Sequence, residues 1–335
     1  MLTGLAAAVD PAQITAVVNT GDDTVVHGLH VCPDLDTVTY TLAGAINSGT
    51  GWGLQDETWE AMSELRALSG GRLGWFNLGD RDLGTHLYRT SRLAEGATYG
   101  EVAAEIAARW SVKVRLLPMS DQPVRTKILI DDGSPAGTEV DFQEYFVKQH
   151  HEVAVRGVRL SGIEDAAAAP GVIDAIEASE TVVICPSNPV VSIGPVLATG
   201  GIGDAVAARR ESTVAVSPIV AGRALKGPAD RMLRELGCEP SAAGVARLWA
   251  PYAATLVIDD SDASLAGKVE EEGMKAVVYP TVMAGRTEAA NLAREVLRHS
   301  AGRTTGISEA DRFDAASAPT STSVSLGSFD GSWPR

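Results

Sequence analysis

The second half of the chain alternates between two textures. From Gly171 onward, short runs rich in Val, Ile, Leu and Ala recur at 181–185, 212–216, 254–258 and 275–278. Amphipathic stretches separate them at 202–208, near Ala229 and Ala242, and near Ala263, with 173–178 before the first run and 287–299 after the last. Runs this short and uniformly apolar suit strands covered on both faces, and strands joined through helices pair in parallel. The expected fold class is α/β, with a doubly wound, mainly parallel, Rossmann-like sheet.

The first half reads differently. Residues 2–9 predict a helix, 14–19 a buried strand running into a Gly-Asp-Asp turn, and 35–46 a helix started by Pro33 and Asp34. A helix over 56–68, capped by Asp56, would place Trp59, Met62, Leu65 and Leu68 on one face. Helices follow at 81–93 and 98–110, the second with Thr98 as cap and Glu101 closing a capping box. Strands are expected at 112–117, 125–130, 138–147 and 153–160, with the polar loop 131–137 making a β-hairpin of the middle two. The result is one α/β domain over 1–300 with a helical and β-hairpin insertion at about 40–160. The Ser/Thr/Ala-rich stretch 301–335 is expected to be disordered.

Composition narrows the function classes. Hydrophobic residues are 45% and charged residues 21% of 335, which suits a packed core. Asp and Glu number 43 against 28 Lys and Arg, a net charge of −15, and aromatics are 5%. An acidic chain with little stacking surface is not a general nucleic-acid binder. Cys32, Cys185 and Cys238 are an odd set at no metal-ligand spacing, as expected of a cytoplasmic protein without a disulfide framework. No apolar run reaches the roughly 20 residues of a membrane helix, and the apolar start lacks the basic residues of a signal peptide.

Three strand ends carry small, polar or proline residues. They are Val18-Asn19-Thr20-Gly21-Asp22-Asp23, Cys185-Pro186-Ser187-Asn188-Pro189 and Val216-Ser217-Pro218-Ile219. Open parallel sheets bind ligands at the carboxyl ends of their strands. Gly, Ser and Asn there let the backbone approach a phosphate and offer donors to it. Asp22 and Asp36 could converge on one hard cation, since Mg2+ takes few carboxylates and completes its shell with water and phosphate oxygens. The plainer alternative is that Asp34 or Asp36 caps a helix. In Asn77-Leu78-Gly79-Asp80-Arg81-Asp82, Arg81 could clamp a phosphate or carboxylate. A capped helix start with a solvated ion pair competes with that reading. Met119, in a further strand-end string, could cover an aromatic ring or fill the core.

Taken in order, several of these strings resemble one family. They are Val17-Val18-Asn19-Thr20-Gly21-Asp22-Asp23, Cys32-Pro33-Asp34-Leu35-Asp36-Thr37, Leu78-Gly79-Asp80-Arg81-Asp82 and Leu117-Pro118-Met119-Ser120-Asp121, then the stretch 186–195 and Val216-Ser217-Pro218-Ile219. The set is similar to the CofD/FbiA family, the 2-phospho-L-lactate transferases of coenzyme F420 biosynthesis, over Leu2 to about Ser300. Phe142-Gln143-Glu144-Tyr145 resembles the actinobacterial branch, whose transferred group is phosphoenolpyruvyl.

The resemblance implies a Mg2+-dependent enzyme. The ribityl hydroxyl of the deazaflavin FO attacks the phosphorus bearing the lactyl or enolpyruvyl group of a guanosine diphosphate-linked donor. GMP leaves, and F420-0 or its dehydro form results. It further implies Asp22 and Asp36 as metal ligands, with Asp36 and Asn77 beside FO. Asp36, Asp80, Arg81 and Asp82 would form the reaction centre, Asp36 taking the hydroxyl proton. Ser187, Asn188, Ser217 and Pro218 would surround the guanosine and phosphates, and the assembly would be a homodimer.

One departure is plain. Family members begin with a strand and a Gly-rich turn of the GGxGG kind, whereas this sequence starts at the helix that follows, Met1-Leu2-Thr3-Gly4-Leu5. Met1 is therefore expected to be an internal start or a truncation, with two sheet edges left unpaired. A second reading of the same motifs is a nucleotide-sugar-binding regulator of the gluconeogenesis-factor type, with this fold and no chemistry. The Pro33-Asp34-Leu35-Asp36 and Gly79-Asp80-Arg81-Asp82 strings favour the transferase. A dehydrogenase is disfavoured because no GxGxxG followed by a ribose-binding acid is present.

Overall fold

A computed structural model of the chain describes residues 1–301, so the expected disorder over 301–335 lies, beyond residue 301, outside the described residues. Helix α1 (Leu2–Ala8) leads to strand β1 (Thr15–Val18) and the antiparallel pair β2 (Thr24–Val26) and β3 (Leu29–Val31). Helix α2 (Pro33–Leu42) starts with Pro at its first position and Asp34 and Asp36 in its first turn. There the missing proline N–H costs nothing and acids meet the positive helix end. Helices α3 (Glu60–Ser69), α4 (Asp80–Ala94) and α5 (Tyr99–Arg109) follow. The capping box of α5 is present: Thr98 Oγ1 accepts from the Glu101 N–H at 3.1 Å, and Glu101 accepts from the Thr98 N–H at 2.9 Å.

The start of α3 differs from expectation. Asp56 has φ +55°, in the left-handed region, and caps nothing. The cap comes instead from the next helix, whose Asp80 accepts from the N–H groups of Glu60 and Ala61 and from the Thr58 hydroxyl. Of the expected apolar face, Met62 is buried and Leu65 partly so, but Leu68 is 85% exposed.

Strand β4 (Arg115–Pro118) pairs in parallel with β1. Strands β5 (Arg125–Ile130), β6 (Thr138–Asp141) and β7 (Val155–Ser161) form an antiparallel sheet in the order β6-β5-β7. Strand β6 stops at Asp141 instead of running on to 147, and a π-helical turn over Glu144–Lys148 follows. Phe142 and Phe146 stack there at 5.4 Å, and Tyr145 turns into the core. Residues four apart meet on a helical turn but not along a strand, so burying these rings favours the turn.

Beyond β7 come α6 (Val172–Ala178), β8 (Val182–Ile184), α7 (Gly194–Ala198), α8 (Ile202–Ala208) and β9 (Thr213–Val216). A small hairpin, β10 (Ile219–Val220) and β11 (Arg223–Ala224), leads to α9 (Ala229–Glu235) and α10 (Ala242–Trp249). The chain then runs through β12 (Thr255–Ile258), α11 (Ala266–Glu271), β13 (Lys275–Val278) and α12 (Arg286–Ala301). The four strands expected from the alternation pair in parallel, in the order β13-β12-β9-β8. Strands β9 and β12 are buried at every position, as central strands under helices on both faces should be.

The parallel structure is in two parts. Among the described residues β1 pairs only with β4, and β8 only with β9. Helix α1 packs on α12 through Gly4, where a Cβ would fall 2.1 Å from the Ala289 carbonyl oxygen, so a side chain there would push the helices apart. A single core runs from Leu256, Ile258 and Ala215 of the parallel sheet to Ile128 and Leu160 of the antiparallel one. Met119 is wholly buried in it and fills the core.

Candidate active site

The loops after β1, β8 and β9 open into one cleft of about 1060 Å3. Asp22 follows β1, Ser187 and Asn188 follow β8, Ser217 and Pro218 follow β9, and all five line it. Asp34 and Asp36 join them from the first turn of α2, and Asn77 and Asp82 from around the start of α4. The strands run in parallel, so their carboxyl ends deliver distant segments to one rim.

Asp22 is buried, and its Oδ1 has no hydrogen-bond partner among the described residues. Burial first, and then the neighbouring Asp34 and Asp23 carboxylates, push its carboxyl well above the ordinary range. Burial also lifts Asp34, and takes Asp23 up to about 7. Two amides brace this corner. Asn19 Nδ2 donates to Asp34 Oδ2 at 3.0 Å and to the Val191 carbonyl at 3.3 Å, while its Oδ1 accepts from the Gly21 N–H at 2.9 Å. Gln143 Nε2 donates to the Asp22 carbonyl at 3.0 Å and so ties the aromatic turn to the cleft wall.

The second group of acids is held from α4. Arg89 pairs with Asp36 through both guanidinium nitrogens, Nη1 at 3.1 Å from Oδ2 and Nη2 against Oδ1. Arg89 Nη1 also lies 3.2 Å from His86 Nδ1, and His86 Nε2 lies 3.2 Å from Asp82 Oδ2. The Tyr40 hydroxyl closes the chain, 2.7 Å from Asp82 Oδ1 and 2.8 Å from Thr85 Oγ1. Burial opposes the charge of Asp82, but the adjacent His86 ring, the Tyr40 hydroxyl and the Arg89 charge outweigh it and hold the carboxyl below its usual range. Burial likewise opposes the charge of Arg89, and Asp36 more than restores it. Asp82, His86 and Arg89 are spaced i, i+4, i+7 and share one face of α4. That spacing is the sequence signal by which His86 and Arg89 could have been found; Tyr40 carries no comparable one, and Asn19 lies in the candidate strand-end string 18–23.

Asp80 and Arg81 lie outside the cleft. Asp80 caps α3, and the Thr58 hydroxyl and then the Ala61 and Glu60 N–H groups hold its carboxyl low. The N–H groups of Arg81 and Asp82 donate to the Glu57 carboxylate at 2.9 Å, and the Arg81 guanidinium donates to the Gln55 carbonyl at 3.0 Å. A capped helix start describes both residues. Three other expected residues line the cleft with their polar groups already engaged. Ser217 Oγ donates to the Ile219 carbonyl, Asn188 Oδ1 accepts from the Val190 N–H, and Asn77 Oδ1 accepts from Arg66. The Ser187 hydroxyl has no hydrogen bond among the described residues.

Aromatic rings also line the cleft. Trp52, Trp75, Phe76, Phe142 and Phe146 line it, with Trp52 54% exposed at the mouth. None of these rings was among the expected site residues; Phe142 lies in a string that carried only the family resemblance. Among the described residues no group of three or more His, Cys, Asp or Glu side chains is arranged to hold a metal. No helix among them is long and apolar enough to cross a membrane.

The family model for 2-phospho-L-lactate transferase CofD matches residues 1–297. A phosphoenolpyruvate transferase of Streptomyces griseus subsp. griseus is 43% identical over 301 residues, covering 88% of this chain and 93% of that protein. Another, of Kitasatospora aureofaciens, is 42% identical over 299 residues, covering 88% and 92%. A crystal structure of a Bacillus halodurans member of the upf0052 family superposes with a TM-score of 0.56 at 14% identity, over 88% of this chain and 95% of that one, and shares the fold. The motifs that meet at the cleft and the match over almost the whole described chain agree: the chain belongs to the CofD family of transferases.

Proposed function

We propose that the chain transfers a phosphoenolpyruvyl group from a guanosine diphosphate-linked donor to the ribityl hydroxyl of FO, giving dehydro-F420-0 and GMP in coenzyme F420 biosynthesis. The observation that carries this reading is the cleft itself. Segments far apart in the chain meet there as an acidic side, an aromatic wall and the Ser187 turn. The relatives named phosphoenolpyruvate transferases favour enolpyruvyl over lactyl as the transferred group.

Transfer at phosphorus asks mainly for positioning and charge neutralisation. The acceptor oxygen attacks the phosphorus that bears the enolpyruvyl group. The bond from that phosphorus to the GMP oxygen breaks, and the hydroxyl proton passes to a cleft carboxylate, Asp36 in this reading. The aromatic wall offers faces for a flat ring system. The Ser187 hydroxyl and the Ser217-Pro218 backbone line the donor side. Arg89, His86 and Tyr40 keep Asp36 and Asp82 in fixed positions, so these acids need no reorganisation during the reaction.

The residues fit a divalent cation. The orphaned Asp22 Oδ1 is a hard oxygen donor at the cleft, and Mg2+ needs only one or two carboxylates beside substrate phosphates. Asp22 would hold it, with Asp36 as the second candidate although both its oxygens face Arg89. When bound, Mg2+ supplies positive charge against the diphosphate.

The test is product analysis by mass with FO and each guanosine diphosphate-linked donor, with and without Mg2+. Dehydro-F420-0 and GMP from the enolpyruvyl donor are the expected products. No turnover with either donor, together with binding of a UDP-sugar and none of fluorescent FO, would overturn the reading in favour of a regulator.

A further inference from the structure

The cleft is acidic where its proposed donor is anionic. Asp22, Asp34, Asp36 and Asp82 line it, and among the described residues Lys226 is the one Lys or Arg that does so. Arg81, the cation expected to meet a phosphate, points at the Gln55 carbonyl outside it, and Arg89 is bound to Asp36. Lys226 makes no hydrogen bond or ion pair among the described residues. Its Nζ sits against the Gly-rich stretch 49–53, where a Cβ on Gly51 would lie 3.5 Å from it.

The position of its loop matters as much as its charge. Lys226 follows the β10–β11 hairpin, which springs from the Ser217-Pro218 turn, and it precedes α9. Helix α9 in turn packs on the Ser187-Asn188 turn, with Asn188 Nδ2 3.8 Å from Met232 Sδ. The ammonium is thus tethered to the two strand-end turns on the donor side, on a flexible stem able to follow a phosphate. A diphosphate brought beside four carboxylates needs compensating positive charge from the protein as well as from any cation.

We propose that Lys226 binds the diphosphate of the donor and is the protein's anion hook in this cleft, an inference that rests on the transferase reading. The experiment compares the unaltered chain with Lys226→Ala and Lys226→Arg. It reads donor KM, GDP and GMP affinity by calorimetry, and FO affinity by fluorescence. Lys226→Ala should weaken donor and GDP by about tenfold or more, the scale of one charge-assisted hydrogen bond. GMP should be affected less, FO affinity should stay unchanged, and Lys226→Arg should recover most of the loss.

A Lys226→Ala chain with unaltered donor KM and GDP affinity overturns the proposal while the transferase reading stands. A loss seen with the enolpyruvyl donor but not with GDP also overturns it, because the ammonium would then meet the donor carboxylate. An unaltered chain that neither turns over FO nor binds GDP overturns the transferase reading, and this proposal with it.

Discussion

Arg89 grips Asp36 with both arms of its guanidinium, and the two side chains are only 3% and 8% exposed. A carboxylate that lines the cleft is thereby also half of a buried ion pair. Removing one partner of such a pair leaves the other charge uncompensated, which typically costs about 3–5 kcal/mol. The proposed catalytic role and the structural one therefore fall on the same carboxylate.

Asp36→Asn is therefore expected to do two things. Turnover should fall severely, as it would for any lost cleft carboxylate. Stability should fall as well, because Arg89 keeps its charge and loses its counterion. Taken as a metal ligand alone, Asp36 would be replaceable without harm to the fold. Urea unfolding of Asp36→Asn and Arg89→Met should show losses of about 3 kcal/mol or more for each, and an unchanged midpoint would contradict the role of the pair.

Tyr40→Phe removes the hydroxyl that lies 2.7 Å from Asp82 Oδ1 and 2.8 Å from Thr85 Oγ1. The expected cost is about 1 kcal/mol. Acceptor KM should rise, since Asp82 loses one of the two groups that orient it. Thermal denaturation and FO titration check the two effects separately.

The two serines of the donor side should behave differently. Ser187→Ala removes an uncommitted hydroxyl at the cleft, so donor KM should rise while thermal stability and FO affinity hold. Ser217→Ala removes a hydroxyl bonded to the Ile219 carbonyl and accepting from its N–H, so stability should fall by about 1 kcal/mol. Equal thermal shifts for both variants would contradict this division.

Asp259 gives a pH signature. Burial opposes its charge, but the Thr281 and Ser261 donors prevail and bring the carboxyl down to about 2 from an ordinary 3.8. A group depressed in the folded state stabilises above its unfolded pKa, and that contribution disappears as pH falls through the folded value. The loss should run between about pH 4 and pH 2 and amount to about 2 kcal/mol. Asp259→Asn should flatten the urea midpoint across that window, and a slope equal to that of the unaltered chain would refute the assignment.

The parallel strands of the second half were legible because burial on both faces leaves uniformly apolar runs, and intervening helices allow only crossovers. The strand-end motifs were legible for the same reason: parallel pairing sends every carboxyl end to one rim, so Asp22, Ser187 and Ser217 could be grouped before any coordinates. The capping box of α5 was written into a four-residue stretch and appeared as read.

Neighbours within one string were another matter. Asp80, Arg81 and Asp82 are consecutive, but successive side chains on a helix turn by about 100°. Only the docking of α4 against α2 and α3 sends Asp82 into the cleft and Asp80 to the end of α3. Asp36 and Arg89 are 53 residues apart, and no local pattern couples them. Lys226 and Trp52 sit on loops without periodicity, and they face the cleft because the elements flanking those loops pack around it. Local periodicity decides which residues form strands and helices, since it acts along the chain. Which side chains share a cleft depends on how those elements rotate and dock, and that is settled by packing between segments far apart in sequence.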